Sequence, residues 1–376
     1  MSSSFGTTLR VQVFGQSHSK AIGCVVEGLP AGYAIDMDRL QSFMDRRAPG
    51  RTAWSTPRRE ADAPHIVSGL NGRGQTCGTP LAAIIENTNT RSADYGDMRR
   101  KPRPGHADFA AWAKWGDWHD VSGGGHFSAR LTAPLCVAGG IALQVLTSRG
   151  VRIRAHVAQV GSEHDERFDA LDMGPRAQSH LREQLDYLEA LPTDAFPTLS
   201  ESAATRMARL IDETRRDLDS IGGVVECVAT GLPAGVGGPR YDGIQGAIAR
   251  IVFGIPAVKG LEFGRGFEVA SLTGSANNDP FRVVDGMCEP ATNNAGGSLG
   301  GISSGAPVLW RMAVKPTPSI ARAQDTVDLA TMTPSTLEVR GRHDPCVAAR
   351  AVPIAEAATA LALLDSWLTF PPSDWR

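Results

Sequence analysis

The chain has 376 residues, 42% of them hydrophobic, enough to bury the core of one large domain or of two ordinary ones. A formal net charge of −2 excludes a generally basic nucleic-acid binder. Six cysteines lie scattered at 24, 77, 136, 227, 288 and 346, none in a Cys-x-x-Cys pair, which argues against a zinc site and a disulfide framework; no metal is expected.

Met1 to Gly6 has no signal-peptide pattern, so a cytoplasmic protein is expected. Cys24-Val25-Val26 reads as a strand entering the tight turn Gly28-Leu29-Pro30-Ala31-Gly32, with a helix around Leu40 to Met44. Basic residues cluster at Arg46-Arg47, Arg58-Arg59 and Arg99 to Arg103, a pattern that suits an anion pocket as well as a solvated surface. Gly78-Thr79-Pro80-Leu81 opens a strand reaching Ile85. Ala129-Arg130 leads through Pro134 into an apolar helix ending near Leu146. Its apolar run, Ala133 to Leu146, is too short to cross a bilayer and reads as a buried helix, so no membrane partner is expected. Residues 155–222 are rich in charge and poor in glycine, with helical spacing from Leu181 to Leu191 and from Ala203 to Leu218. They read as a helical connector or a small lid.

Beyond them the chain repeats itself. Val224 to Val228 precedes Gly231-Leu232-Pro233-Ala234-Gly235, and a helix follows around Ile244 to Phe253. Gly305-Ala306-Pro307-Val308 opens a strand reaching Val314, and Ala349-Arg350 leads through Pro353 into a helix ending near Leu364. Matches in the same order predict two pseudo-symmetric halves, about 6–150 and about 223–368, packed as a single domain spanning 1–376.

Three polar motifs carry the chemistry: Gly15-Gln16-Ser17-His18, Arg103-Pro104-Gly105-His106-Ala107-Asp108, and Gly341-Arg342-His343-Asp344-Pro345-Cys346. Each sets a proton-transfer side chain beside glycine or proline, which favour tight turns. His18 and His106 read either as satisfied structural groups or as groups that move protons near neutral pH. Asp108, two residues after His106, can orient its ring; Asp344 reads as a base or as half of an ion pair with Arg342. No plausible Ser-His-Asp order accompanies Ser17-His18, which argues against a hydrolase. The glycine-rich run from Asn293 to Gly305 can cradle a phosphate or border a planar ring, but fits neither a P-loop nor a Rossmann fingerprint. Lys315-Pro316-Thr317-Pro318-Ser319 offers an ammonium and two hydroxyls to an anion, or is simply a rigid loop.

Together with Glu60-Ala61-Asp62, Asn87-Thr88, Arg91 to Tyr95 and Ala257 to Glu262, these motifs resemble the chorismate synthase family, from about Gly6 to about Asp365. The resemblance implies an α+β fold: a β-α-β sandwich of two antiparallel four-stranded sheets with helices between, in a homotetramer. It implies a lyase of the shikimate pathway, in aromatic amino-acid biosynthesis. Its reaction is the anti-1,4-elimination of phosphate from 5-enolpyruvylshikimate 3-phosphate, assisted by reduced FMN with NADPH as indirect reductant. No reductase domain is apparent in the sequence, so an external flavin reductant is expected. By matching motif, His18, His106 and Asp344 are the implied proton-transfer groups, supported by Ser17 and Ser128. Arg47, His126, Phe127, Ser128, Pro256, Ala257, Gly300, Lys315, Pro316, Thr317, Pro318, Ser319 and Arg342 are the implied cofactor contacts. Arg47, Arg51, Arg130 and Arg342 are the implied holders of the anionic substrate.

The chain departs from the family pattern at several of these places. Arginine is replaced by Ala48, Ala53, Ser122 and His126, and glutamate by Gln16 and Leu131. Each lost charged hydrogen bond costs about 1.5–3 kcal/mol unless a neighbour compensates. Besides the family reaction, two further readings stand: a flavin-assisted elimination on a different cyclohexene, and a non-catalytic flavin-binding homologue.

Overall fold

A computed structural model describes residues 3–50, 52, 54–56, 60–88, 97–339 and 343–373. Arg51, Ala53, the Arg58-Arg59 doublet, Arg91 to Tyr95, Gly341 and Arg342 lie outside the described residues.

The first sheet is wholly antiparallel and runs in the order β1 (Ser4–Phe5), β2 (Arg10–Gly15), β3 (Ala21–Glu27), β5 (Leu81–Glu86), β4 (His65–Ser68). Helix α1 (Met37–Arg47) follows the first Gly-Leu-Pro-Ala-Gly turn. Asp36 caps it by accepting from the Arg39 amide at 2.9 Å. Leu40, Phe43, Met44 and Arg47 share its buried face, at spacings of three and four. An arginine thus occupies the last position of an apolar stripe. After α2 (Asp108–Trp115) comes α3 (Thr132–Thr147), almost entirely buried.

The second sheet repeats this order with β7 (Glu163–His164), β6 (Arg152–Val160), β8 (Gly223–Thr230), β14 (Val308–Val314), β9 (Val258–Phe263). Helix α6 (Ile244–Val252) matches α1, and α8 (Ala348–Thr369) matches α3. Both sheets therefore carry four longer strands, as the repeat requires, plus the two-residue edge strands β1 and β7. The smaller hairpins are β10 (Phe281–Val284) with β11 (Met287–Pro290), β12 (Ser298–Leu299) with β13 (Ile302–Ser303), and β15 (Gln324–Asp328) with β16 (Thr333–Leu337). A one-turn helix, α7 (Gly274–Asn277), precedes the first of them.

Helices α3 and α8 form the centre of the sandwich and share one apolar core with both sheets. Their close approach depends on Gly139, where a Cβ would lie 2.3 Å from that of Ala357. Both are apolar enough to resemble membrane spans, but their surface is consumed in the core, 83% and 89% buried over the apolar window. Pro353 lies in the second turn of α8 rather than the first, so its missing N–H forgoes the bond to the Ala349 carbonyl.

The connector reading of 155–222 needs correction. Residues 152–160 form β6, an interior strand of the second sheet. Helices α4 (Pro175–Ala190) and α5 (Glu201–Arg216) are inserted between β6 and β8, inside the second half. The equivalent connection in the first half, between β2 and β3, is the short turn carrying Ser17 and His18. Periodicity located the helices; only strand pairing shows where they are inserted.

Candidate active site

The sandwich leaves a cavity of about 980 Å³ where the N-terminal ends of α3 and α8 meet the loops of both halves. That is at the upper end of the roughly 300–1,000 Å³ typical of small-molecule sites.

One wall is made by two turns fastened together. The Ser17 amide donates to the Gly125 carbonyl at 3.0 Å. Gly123, Gly124 and Gly125 all have positive φ, between 53° and 85°. The absence of side chains matters here, because a Cβ on Gly123 would lie 2.3 Å from the His18 ring and 2.5 Å from Ser17 Oγ. A Cβ on Gly124 would lie 3.1 Å from His106 Nε2. The triple-glycine turn therefore separates the two candidate histidines by backbone alone. Ser17 and Gly123 line the cavity; His18 is not in its lining and packs against Gly123.

A second wall holds His106. Its Nδ1 lies 2.5 Å from Oδ1 of Asp108, the first residue of α2. Asp108 in turn receives Nε and Nη2 of the buried Arg103, at 2.7 and 2.8 Å. Burial opposes ionisation of Asp108, but hydrogen bonds from Arg103 and His106 outweigh it and hold its pKa well below the usual carboxylate range. Arg103 Nη2 also lies 3.0 Å from Nδ1, but the closer carboxylate makes that nitrogen the donor and leaves Nε2 as the working atom of His106. Arg103 also donates from Nη1 to Ser319 Oγ at 3.2 Å, and Lys315 Nζ donates to the Gly105 carbonyl at 2.7 Å. The 315–319 loop is thereby held against the His106 turn. Burial and the nearby Lys259 lower the pKa of Lys315.

The third wall is cationic. Arg47 and Arg130, 1% and 5% exposed, both donate through Nη1 to the fully buried carboxylate of Asp62. Arg130 Nε donates to Asn87 Oδ1 at 3.0 Å. Arg47 Nε and Arg130 Nη2 have no hydrogen-bond partner among the described residues. Burial opposes ionisation of Asp62, yet Arg47 and Arg130 outweigh it and lower its pKa; burial brings Arg47 down to about 10. Beside them Asp344 accepts from Arg350 Nη1 at 2.5 Å and from the Thr56 amide at 2.8 Å. Burial, then Arg103 and His106, push His343 down to about 4, so it is neutral at physiological pH.

The cavity lining brings together Ser17, Arg47, His106, His126, Phe127, Ser128, Arg130, Pro256, Ala257, Lys315, Thr317, Pro318, Ser319 and Asp344. Pro316 is not in the lining and packs near Gly222. Gly300 is not brought there: it sits at the turn of the β12–β13 hairpin, whose Gly301 packs on Gly243 at the far end of α6. Arg51 and Arg342 fall outside the described residues, and among the described residues Asp344 pairs with Arg350. Gln16 is exposed and Leu131 joins the apolar core. Sequence reasoning did not single out Asp62, Arg103 or Arg350 as site residues. Arg103 stood in a basic cluster, and Arg350 is the repeat equivalent of Arg130; that echo was the available signal.

A pattern described as chorismate synthase matches residues 9–368. A chorismate synthase from Lancefieldella parvula is 48% identical over 99% of this chain and 97% of its own. One from Korarchaeum cryptofilum is 41% identical over 96% of each. A solved structure titled "Crystal Structure of Chorismate Synthase" superposes with a TM-score of 0.71 at 25% identity, covering 97% of this chain and 93% of the other.

Proposed function

The chain belongs to the chorismate synthase family and is a lyase, and from that premise we propose that it forms chorismate by anti-1,4-elimination of phosphate from 5-enolpyruvylshikimate 3-phosphate, with reduced FMN in the same cavity. The observation that carries this reading is the convergence, in one cavity, of an oriented histidine, a carboxylate and a cationic wall. The altered positions Ala48, Ser122 and His126 leave Arg47, Arg103, Arg130 and Arg350 in the lining. That is cationic provision for a substrate with two carboxylates and a phosphate.

The residues fit a flavin. The cavity has room for cofactor and substrate together, Lys315 and the buried Thr317 Oγ1, unpartnered among the described residues, suit its phosphate, and Phe127 is an exposed ring at the lining. Pro256, Ala257, Lys315, Thr317, Pro318 and Ser319 would hold it, with Arg342 as a further candidate. When bound, reduced FMN supplies transient electron density to the allylic system of the substrate, with no net redox change. The protein's part is to bind, orient and move protons. Arg47, Arg130 and Arg350 hold the substrate's anionic groups. His18, beside the cavity-lining Gly123, gives a proton to the departing phosphate, steadied by Ser17. His106 exchanges a proton at Nε2, its ring fixed by Asp108, and Asp344 assists removal of the substrate's C6 proton.

An external reductant supplies the reduced flavin, with NADPH as its indirect source. We further infer a homotetramer in the cytoplasm; exposed Phe267, Phe281, Val283 and Met287 suit an interface between subunits. Light scattering on the purified protein tests the tetramer. The function is tested by an anaerobic assay with chemically reduced FMN and 5-enolpyruvylshikimate 3-phosphate, following chorismate and phosphate together. Stoichiometric release of both is expected. Tight FMN binding without product would move the reading to a different cyclohexene substrate.

A further inference from the structure

His126 stands where arginine is expected from the family pattern, and the structure gives it different work. Its Nδ1 lies 2.7 Å from the Gly15 carbonyl oxygen, and its Nε2 lies 2.6 Å from Ser3 Oγ. A carbonyl oxygen only accepts, so Nδ1 carries the proton, and in the neutral ring Nε2 accepts from the Ser3 hydroxyl. Both ring nitrogens of the neutral imidazole are thus engaged by the protein. An arginine has only donors and could not accept from Ser3 in this way.

The segments it joins matter. Gly15 opens the turn that carries Ser17 and His18, and the Ser17 amide is tied to Gly125, next to His126. Ser3 is itself paired to β2 through its carbonyl, which accepts from the Val13 amide at 2.9 Å. Ser3, Ser4 and Phe5 line the cavity.

We propose that His126 is a positioning residue. Through these two contacts it fixes the Gly15–Ser19 turn, and with it Ser17 and His18, against the triple-glycine turn, and it holds the N-terminal segment as a wall of the cavity. The inference rests on the reading of Ser17 and His18 as catalytic. It also makes His126 a poor flavin ligand, because neither nitrogen is left for the cofactor.

Four variants test it: His126→Ala, His126→Asn, His126→Gln and Ser3→Ala. Asparagine keeps an N–H near the position of Nδ1, whereas glutamine reaches only the position of Nε2. With saturating flavin, H126A is expected to lose about 100-fold in kcat, the scale of a misplaced catalytic group. Substrate KM and the Kd for FMN, read by flavin fluorescence, are expected to stay within about threefold. H126N recovers most of the loss and H126Q does not. S3A, the mildest change, is expected to shift the His18 imidazole resonances while the chain stays folded. Equal behaviour of H126N and H126Q, or a large loss of FMN affinity with kcat intact, overturns the proposal. The His18 ¹⁵N resonances in the H126A and H126N proteins decide the clamp without turnover. If the parent protein makes no chorismate, the functional reading fails while this test still stands: unmoved His18 signals in H126A would refute the clamp.

Discussion

Arg350 Nη1 donates to Oδ2 of Asp344, six residues before it in the chain, at 2.5 Å. Arg350 also donates through Nε to the Arg47 carbonyl at 3.0 Å. It therefore couples the candidate carboxylate of α8's entry loop to the C-terminal end of α1. Arg350 occupies in the second half the place that Arg130 occupies in the first, and both face the same cavity. A pseudo-two-fold that duplicates an arginine has supplied two guanidiniums to one site.

Arg350→Ala is expected to free the Asp344 carboxylate and cut kcat by about 100-fold, the scale of a misplaced catalytic group. Loss of a charge-assisted hydrogen bond is expected to reduce stability by about 1.5–3 kcal/mol. Steady-state kinetics and denaturant unfolding on the same preparation separate the two effects. Parent-like kcat in R350A would remove Arg350 from the positioning of Asp344.

Asp62→Asn leaves Arg47 and Arg130 buried without their shared counter-charge. Breaking such a pair from one side costs about 3–5 kcal/mol. The variant is expected to unfold at lower denaturant and to bind substrate more weakly, while Asp62→Glu recovers part of both. Were added positive charge the dominant effect, KM would fall instead, so its direction decides the role of Asp62.

Gly123→Ala places a methyl group against the His18 ring at a φ of +62°, which an L-residue adopts at a cost of about 1–3 kcal/mol. Activity is expected to fall more than stability, because the displaced groups are Ser17 and His18. An alanine at Gly32, where a Cβ meets nothing within 4 Å, keeps the unfavourable φ without the clash and serves as the control.

The pH dependence of stability has two predicted limbs. Asp62 and Asp108 have folded pKa values below their unfolded ones, because arginine contacts outweigh burial. Their contribution is present above about pH 4 and is lost as pH falls through the folded values. His156 is the opposite case. Burial would lower its pKa, but Asp165 at 3.2 Å and Glu226 at 3.1 Å raise it. Its contribution is complete below about pH 6.5 and is lost as pH rises through the folded value. Unfolding free energies measured from pH 3 to 10 are expected to show both limbs. His156→Gln is expected to flatten the alkaline limb alone and Asp108→Asn to weaken the acidic one.

Much of the architecture was legible in the residues. The repeated Gly-Leu-Pro-Ala-Gly turns predicted the equivalence of β3 with β8 and of α1 with α6. The apolar run before Leu146 predicted the core helix α3. His106 with Asp108 was legible as an oriented pair, because the two residues are neighbours in a turn. What was not legible joins distant segments. The insertion of α4 and α5 inside the second half is visible only in the pairing of β6 with β8.

By itself, then, the sequence determined the α+β class, the two similar halves, the family and the motifs that carry proton-transfer groups. The halves and their turns follow from periodicity and turn chemistry, which act over a few residues, and the class and family from the resemblance that the motifs carry. The tertiary structure alone decided which charges meet: Arg47 and Arg130 on Asp62, Arg350 on Asp344, and His126 between Gly15 and Ser3. It also set Gly300 apart from the cavity. Buried ions must find partners, and Asp62 finds its own on α1 and on the turn before α3, far from it in the chain.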